Sequence, residues 1–360
     1  MIQINVNTEK QYIVHVGKNL SEQLIATASN YENVVIFCAV ALAPVATKIS
    51  TSLPEHIKSA IFQLPDGEEA KSLATAASCW DFLATSKISR TDLIVGIGGG
   101  AVTDLVGFVA ATWLRGTDAV LVPTTVLGMV DAAVGGKCGI NTEFGKNLVG
   151  SFSDPIAVFC DTDLLSTLDL AEVKSGFAEI IKCGFIADPE ILNIVEIAGK
   201  DILNTDSESF LDVAVRAIKV KANVVSDDQF ERSQIDVGRA ALNYGHTLGH
   251  AIEKQGNYRW RHGDAVSIGM IFAAELAYEL RMISEDLLKR HYSILNLIGL
   301  PTSYQAANLV ELLPIMAIDK KATSKILRFV LLSELAVPVF VSNPEATTLA
   351  TAFDRLVSEG

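Results

Sequence analysis

Residues 92–104 read DLIVGIGGGAVTD: a short apolar run, three consecutive glycines, then small and apolar residues that open a helix. The pattern predicts a strand, a tight turn and a helix. Gly98, Gly99 and Gly100 carry no Cβ, so their backbone N–H groups can approach an anion, and the helix start that follows favours a phosphate. The string also satisfies G-x-G-x-x-A from Gly96. That match is weak on its own, because tight strand-to-helix turns use glycine for steric reasons too.

On both sides of this unit, apolar runs alternate with helical stretches. VVIF (34–37) is followed by LAPVATKIST (42–51). IFQL (61–64) leads through the turn PDGEEAKS (65–72) to the helix LATAASCWDFLAT (73–85), and AVLVP (119–123) follows the helix that starts at Ala101. This order predicts a parallel sheet with helices on its faces, and residues 2–6 and 11–16 read as two strands around a polar turn. After about residue 165 the strand signals fade. Segments 171–187, 189–199, 209–225, 239–254, 264–281 and 285–298 read as helices, and LRFVLLSELAVPVFVS (327–342) reads as a short strand pair or an irregular return. The expected division is an α/β domain over residues 1–168 and a mainly α-helical domain over 169–360.

At 360 residues the chain is long enough for two domains with full cores. Hydrophobic content of 49% with 20% charged residues indicates a compact globular body rather than disorder. A net charge of −13 argues against partners such as nucleic acid or an anionic membrane surface. Yet Arg115, Lys137, Lys146, Lys182, Lys221, Arg239, Lys320 and Lys321 all lie in glycine-rich, histidine-bearing or otherwise distinctive segments. Basic groups gathered in this way within an acidic chain suggest a small anionic substrate. Cys38, Cys79, Cys138, Cys160 and Cys183 form no C-x-x-C pair, which fits free thiols in a reducing compartment. The N-terminus alternates like a strand and lacks the apolar core of a signal peptide, and no run reaches the roughly 18 apolar residues of a membrane span. A cytoplasmic location is expected.

Three segments carry chemistry. In GRAALNYGHTLGHAIE (238–253), read as one helix, Arg239, Asn243, His246 and His250 fall at steps of four, three and four on one face. That face is either solvated or lines a metal and anion site, and RWRHGDAV (259–266) adds His262. Thr247 stands where a zincin would need Glu. In SGFAEIIKCGFI (175–186), Glu179 and Lys182 share a helix face, either as an internal ion pair or with Glu179 as the carboxylate the histidines lack. Glu179 with His246 and His262 makes a two-His, one-carboxylate set that leaves positions open, a catalytic arrangement most often built for zinc. VPTTVLGMVDAAVGGKCGINTEFGKN (122–147) places Asp131, Lys137, Lys146 and Asn147 among glycines, where they can donate to phosphate or hydroxyls. His15, His56 and His291 have no polar company in the sequence and read as structural or exposed.

Taken together, these segments resemble the 3-dehydroquinate synthase family over almost the whole chain. The resemblance rests on PDGEEAKS, GGGAVTDLVGFVAATWLRG, VPTTVLGMVDAAVGGKCGIN, GKNLVGSF, GFAEIIK, KANVVS, LNYGHTLGHAIE, RHGDAVSIGM and DKK, nine blocks in the family's order. It implies a Rossmann-like NAD domain with a parallel sheet, a helical C-terminal domain, a bound divalent metal such as zinc or cobalt, and a homodimer. The implied substrate is 3-deoxy-arabino-heptulosonate 7-phosphate, converted to 3-dehydroquinate and phosphate in the shikimate pathway.

Carried onto matching positions, the resemblance makes Glu179, His246 and His262 the metal ligands. It assigns NAD to Glu68, Lys71, Gly99, Gly100, Asp104, Thr124, Thr125, Lys146 and Thr167. Lys137, Asn147, Asn243 and His250 would meet the phosphate, with Arg115 reaching in from a partner subunit. Arg239 would hold the carboxylate, while Asp131, Lys182 and Lys221 would serve hydroxyls or the carboxylate. One of Lys320 and Lys321 closes the site, and Lys321 is preferred. Catalysis falls to Glu231, His250, Lys182 and Arg239. Two positions depart from the family's pattern: Cys38 lies near the place of an Asp that often binds the adenosine ribose, and Ile235 occupies the family's acidic slot. Counting from KANVVS assigns the acid to Glu231, with Asp236 as the fallback. Another sugar phosphate cyclase, or a metal-dependent polyol dehydrogenase, is the alternative.

Overall fold

The computed structural model describes residues 1–233, 237–318 and 327–358. It separates into two compact units, one of Met1–Leu168 with Lys221–Gln229, the other of Asp169–Val220 with Phe230–Gly360.

The first unit opens with β1 (Ile2–Val6) and β2 (Tyr12–Gly17), an antiparallel pair. There follow α1 (Ser21–Ala28), β3 (Asn33–Ala39), α2 (Ala43–Ser52), β4 (Lys58–Leu64), α3 (Leu73–Thr85), β5 (Leu93–Gly98), α4 (Gly100–Thr112) and β6 (Asp118–Pro123). Then come β7 (Lys137–Thr142), β8 (Gly145–Phe152) and β9 (Ala157–Asp161). Seven strands form one sheet in the order β1-β2-β9-β6-β5-β3-β4, parallel throughout except for β1. Strands covered on both faces are near-continuously apolar, and β5 is buried at every position. Cys38 is likewise fully buried, in β3. Leu93, Val95 and Ile97 of β5 join Val34, Ile36 and Cys38 of β3 and Val120 and Val122 of β6 in one apolar cluster. Beyond β4 the chain returns to the other side of β3 to lay down β5. The carboxyl ends of β3 and β5 are thus the switch point, where open α/β sheets bind ligands. β7 and β8 form a separate antiparallel hairpin, which the sequence reading did not anticipate.

The second unit is mainly helical: α5 (Leu170–Ile186), α6 (Pro189–Ala198), the start of α7 (Glu208–Asp227), α8 (His246–Gln255), α9 (His262–Glu279), α10 (Glu285–Ile298), α11 (Leu309–Ile318) and α12 (Ala346–Ser358). β10 (Arg328–Glu334) and β11 (Val337–Ser342) form the strand pair, antiparallel. Residues 239–254 are not one helix. A 3-10 segment, Gly238–Asn243, ends at Tyr244 in a non-helical conformation (ψ 123°), and α8 begins only after Gly245. Gly245 has φ +81°, and a Cβ there would lie 2.8 Å from Met270 N. Only glycine accepts both conditions.

Glycines also set the helix crossings. A Cβ at Gly269 would lie 1.9 Å from Gly245 O, and one at Gly263 would lie 1.9 Å from Ser175 O. The backbone of α9 therefore touches the turn before α8 at one point and α5 at another. Gly263 N also donates to Ser175 Oγ (3.0 Å). Each crossing lies within a turn of a polar side chain: His246 beside Gly245, His262 beside Gly263, and Glu179 one turn beyond Ser175.

Candidate functional site

Glu179 is 1% exposed in the middle of α5. Its Oε2 accepts from Lys182 Nζ, one helical turn on. Its Oε1 is buried and accepts no hydrogen bond. Two imidazoles face that oxygen, His246 Nε2 at 3.5 Å and His262 Nε2 at 3.4 Å. The far side of each ring explains the tautomer. His246 Nδ1 lies 3.2 Å from Tyr244 O and His262 Nδ1 lies 3.2 Å from Glu253 Oε2, both groups that only accept once the carboxyl is ionised. Each Nδ1 therefore carries hydrogen, and in the neutral ring each Nε2 turns a lone pair towards the same carboxylate oxygen. Three electron-rich atoms so placed repel one another unless a proton or a metal cation lies among them. Donor atoms about 2.0 Å from a tetrahedral ion stand about 3.3 Å apart, close to the separations here. These residues fit a divalent metal.

Electrostatics agree with that fit. Burial pushes the Glu179 carboxyl up, but the Lys182 ammonium and the two imidazoles outweigh it and hold the group well below its usual range. Burial and Lys182 push His246 down to about 3, so its ring is neutral at ordinary pH. Burial also opposes charge on His262, yet Glu179 and Glu253 overcome it and raise this ring to about 10. A cation that binds there displaces a proton. His250 stands edge-on to His246, ring centroids 5.1 Å apart.

Other polar groups of the second unit come from the 3-10 segment rather than from α8. Arg239 is buried there, as is Lys182 in α5. Asn243 Nδ2 donates to Glu231 Oε1 (3.0 Å), and Glu231 holds a left-handed backbone with φ +54°. Asp236, Lys320 and Lys321 lie outside the described residues.

In the first unit, Gly99 caps α4 at the carboxyl end of β5. A Cβ at Gly98 would lie 2.5 Å from the Val102 side chain, and one at Gly99 would lie 3.2 Å from Thr125. The first glycine thus lets the helix close on the strand, and the second keeps the backbone open where the helix N-terminus can receive a phosphate. Thr124 N donates to Gly98 O (2.9 Å), and Gly128 N donates to Thr125 Oγ1 (3.0 Å), which fixes both threonines beside the turn. Buried Lys71 donates to Asp104 Oδ2 (2.5 Å) and to Asn147 Oδ1. Glu68 Oε1 accepts from Asn141 Nδ2 (2.7 Å), and Asn141 Oδ1 accepts from Asn147 N (3.0 Å). A π-helical turn, Gly128–Ala132, presents Asp131 to Lys221 Nζ, which bonds both its carboxylate and its carbonyl. Such turns are frequent at functional sites. Lys137 opens β7, Lys146 lies on β8, and Thr167 is exposed. Arg115 is also exposed, between Leu114 (φ +49°) and Gly116 (φ +122°).

Thus the fold brings Glu68, Lys71, Asp104 and Asn147 into one cluster, and it pairs Asp131 with Lys221. Asn141 and Glu253 escaped the sequence reading. Glu253 lies seven residues after His246 and three after His250, a helical spacing that was available. Asn141 had no such signal, because its role depends on the hairpin.

The family model described as 3-dehydroquinate synthase N-terminal matches residues 61–175, and the one described as 3-dehydroquinate synthase C-terminal matches residues 176–322. The 3-dehydroquinate synthase of Rhodococcus erythropolis is 45% identical over 359 residues, which span 99% of this chain and 96% of that protein. The enzyme of the same name from Corynebacterium diphtheriae is 46% identical over 359 residues, 99% of each. A solved 2-epi-5-epi-valiolone synthase from Streptomyces hygroscopicus, with NAD+ and Zn2+ bound, shares the fold at a TM-score of 0.89 and 24% identity, covering 98% of both chains. Full-length identity at this level, with both halves matched in order, leaves one assignment: the chain belongs to the 3-dehydroquinate synthase family.

Proposed function

We propose that the chain converts 3-deoxy-arabino-heptulosonate 7-phosphate to 3-dehydroquinate and phosphate, with NAD and a divalent cation, zinc or cobalt, as cofactors. The observation that carries this reading is the buried Glu179 Oε1, faced by two imidazole Nε2 atoms, with a buried Arg239 supplied by the segment just before α8. Kinship with named 3-dehydroquinate synthases supports the choice of substrate.

Glu179, His246 and His262 hold the cation, and the Gly99–Gly100 turn, Thr124, Thr125 and the Lys71 cluster hold the nucleotide. When bound, these groups supply a reversible hydride acceptor and a Lewis acid for the substrate's C5 oxygen, with no net redox change. The chain's own groups do the rest. Arg239 pairs with the carboxylate; Asp131, Lys182 and Lys221 take hydroxyls or that carboxylate. Lys137, Asn147, Asn243 and His250 hold the phosphate, and one of Lys320 and Lys321, with Lys321 preferred, completes the site. Cations and amide donors around the phosphate offset its charge as it leaves and aim its oxygens at the C6 proton. That proton is acidic once C5 is a ketone, so the phosphate serves as its own base. Glu231 and His250 provide acid–base groups beside it. Once the hydride has been returned and C5 is again an alcohol, ring opening and an intramolecular aldol step close the carbocycle. The exposed Arg115 reaches the site of a second copy in a homodimer, and free cysteines suit the cytoplasm.

The test supplies purified protein with the heptulosonate phosphate, catalytic NAD+ and zinc or cobalt. Phosphate and dehydroquinate should appear together, with no accumulation of NADH. Steady NADH production from simple polyols, without phosphate release, would replace this reading with a dehydrogenase.

A further inference from the structure

Among the described residues, the metal set leaves one buried carboxylate next to it unused. Glu253 is 4% exposed near the end of α8, and its Oε2 lies 3.2 Å from His262 Nδ1. The other nitrogen of that ring faces Glu179 Oε1. The geometry points to Glu253 as a positioning residue for the metal centre: it holds the Nδ1–H of His262, and so turns the Nε2 lone pair to the cation. The inference rests on the metal reading given above and adds to it a residue that touches neither metal nor substrate.

Three observations favour this role over a purely structural one. First, the two histidines are oriented unequally. His246 leans on a backbone carbonyl only two residues before it, Tyr244 O. His262 instead leans on a side chain of another helix. Second, the contact ties the last turn of α8 to the first residue of α9, the two helices that carry His246 and His262. Third, the chain is folded back to make the contact. Tyr258 N donates to Glu253 O (2.7 Å), which closes the end of α8 and starts the short loop that returns His262 to it. Ligand atoms of His250, Glu253 and His262 also lie within 4.8 Å of one another, so a cation seated among those three is the competing use of the same carboxylate.

The experiment measures zinc affinity of the full chain by competition with a chelator, and the visible absorption of the cobalt-loaded protein. The variants are Glu253→Ala, Glu253→Gln, Glu253→Asp and Glu179→Gln, with thermal midpoints of the metal-free proteins as the check on folding. Removing an outer hydrogen-bond partner of a metal-bound histidine weakens affinity by about 10–100-fold. Glu253→Ala should show that loss and a shifted cobalt spectrum. Glu253→Gln keeps an acceptor at the same reach and should recover most of the affinity. Glu253→Asp keeps the charge but withdraws the acceptor, and should bind more weakly than Gln. If Glu253→Ala does not fold, the order of Gln and Asp decides, and Asp equal to or tighter than Gln overturns the inference. Wild-type affinity and spectrum in Glu253→Ala overturn it as well, while the metal site itself stands as long as Glu179→Gln is impaired. Zinc binding unchanged in Glu179→Gln but lost in Glu253→Ala would move the cation to His250, Glu253 and His262 and overturn both readings.

Discussion

Glu231 occupies a backbone conformation that a residue with a Cβ adopts at a cost of about 1–2 kcal/mol. What it obtains is a side chain on the Asn243 amide, 3.0 Å away. Strain of this kind gathers where geometry matters more than stability. Glu231→Gln should therefore leave the thermal midpoint close to wild type and lower kcat by about 10²–10⁴-fold, the usual contribution of an acid–base group. Asp236→Asn should have a far smaller effect. The opposite ranking in steady-state kinetics would move the acid to Asp236. Counting from KANVVS ranks Glu231 above Asp236, and it does no more than rank them, since the segment before Arg239 departs from the family's pattern. Lys182 shows a similar limit. Its spacing from Glu179 is plain in the sequence, but an internal ion pair and a metal ligand with its cation look the same there. The structure has the ion pair through Oε2, and the orphaned Oε1 with two Nε2 atoms facing it favours the metal reading beside it.

Among the elements, the proposed metal set depends on backbone contact between helices. Glu179, His246 and His262 come from α5, α8 and α9, and Gly263, Gly245 and Gly269 let those backbones approach more closely than any side chain would permit. Gly269→Ala forces a Cβ into Gly245 O. Overpacking of this kind costs about 1–3 kcal/mol, and more where the clash is with backbone. The variant should melt at a lower temperature and bind zinc more weakly than wild type even though no ligand has changed. Unchanged zinc affinity by chelator competition would show that the crossing does not set the ligand geometry. The same contact explains why a single helix over 239–254 was a reasonable but wrong expectation. Arg239, Asn243, His246 and His250 fit helical spacing, so periodicity is blind to a break between Asn243 and His246. The break is required by the neighbour, α9, which a pattern along one segment cannot reveal. By contrast, α3 and α10 were legible to the residue, because their ends carry local signals: Ser72 accepts from Thr75 N and Ser284 from Leu287 N at the starts, and Gly299 ends α10 in the left-handed region.

Over the whole molecule, the parallel sheet could be read directly because central strands such as β3 and β5 are buried on both faces and so are almost wholly apolar. The β7–β8 hairpin could not, since its glycines, polar residues and exposed Phe144, Leu148 and Phe152 follow no regular alternation. The proposed roles divide along the same line as the chain. Residues proposed for the nucleotide belong to the first unit, and all three proposed metal ligands belong to the second. A ligand that binds only the folded state stabilises it by about 2.7 kcal/mol at 100 times its dissociation constant, and amide exchange reports where that protection falls. Zinc added to metal-free protein should slow exchange in α5, α8 and the first turns of α9. NAD+ should slow it at the β5–α4 turn and around Thr124 and Thr125. Glu179→Gln should abolish the zinc effect and leave the NAD+ effect in place. If zinc instead protects the β5–α4 turn while α8 exchanges as before, the cation is held by other residues and the division of labour between the units fails.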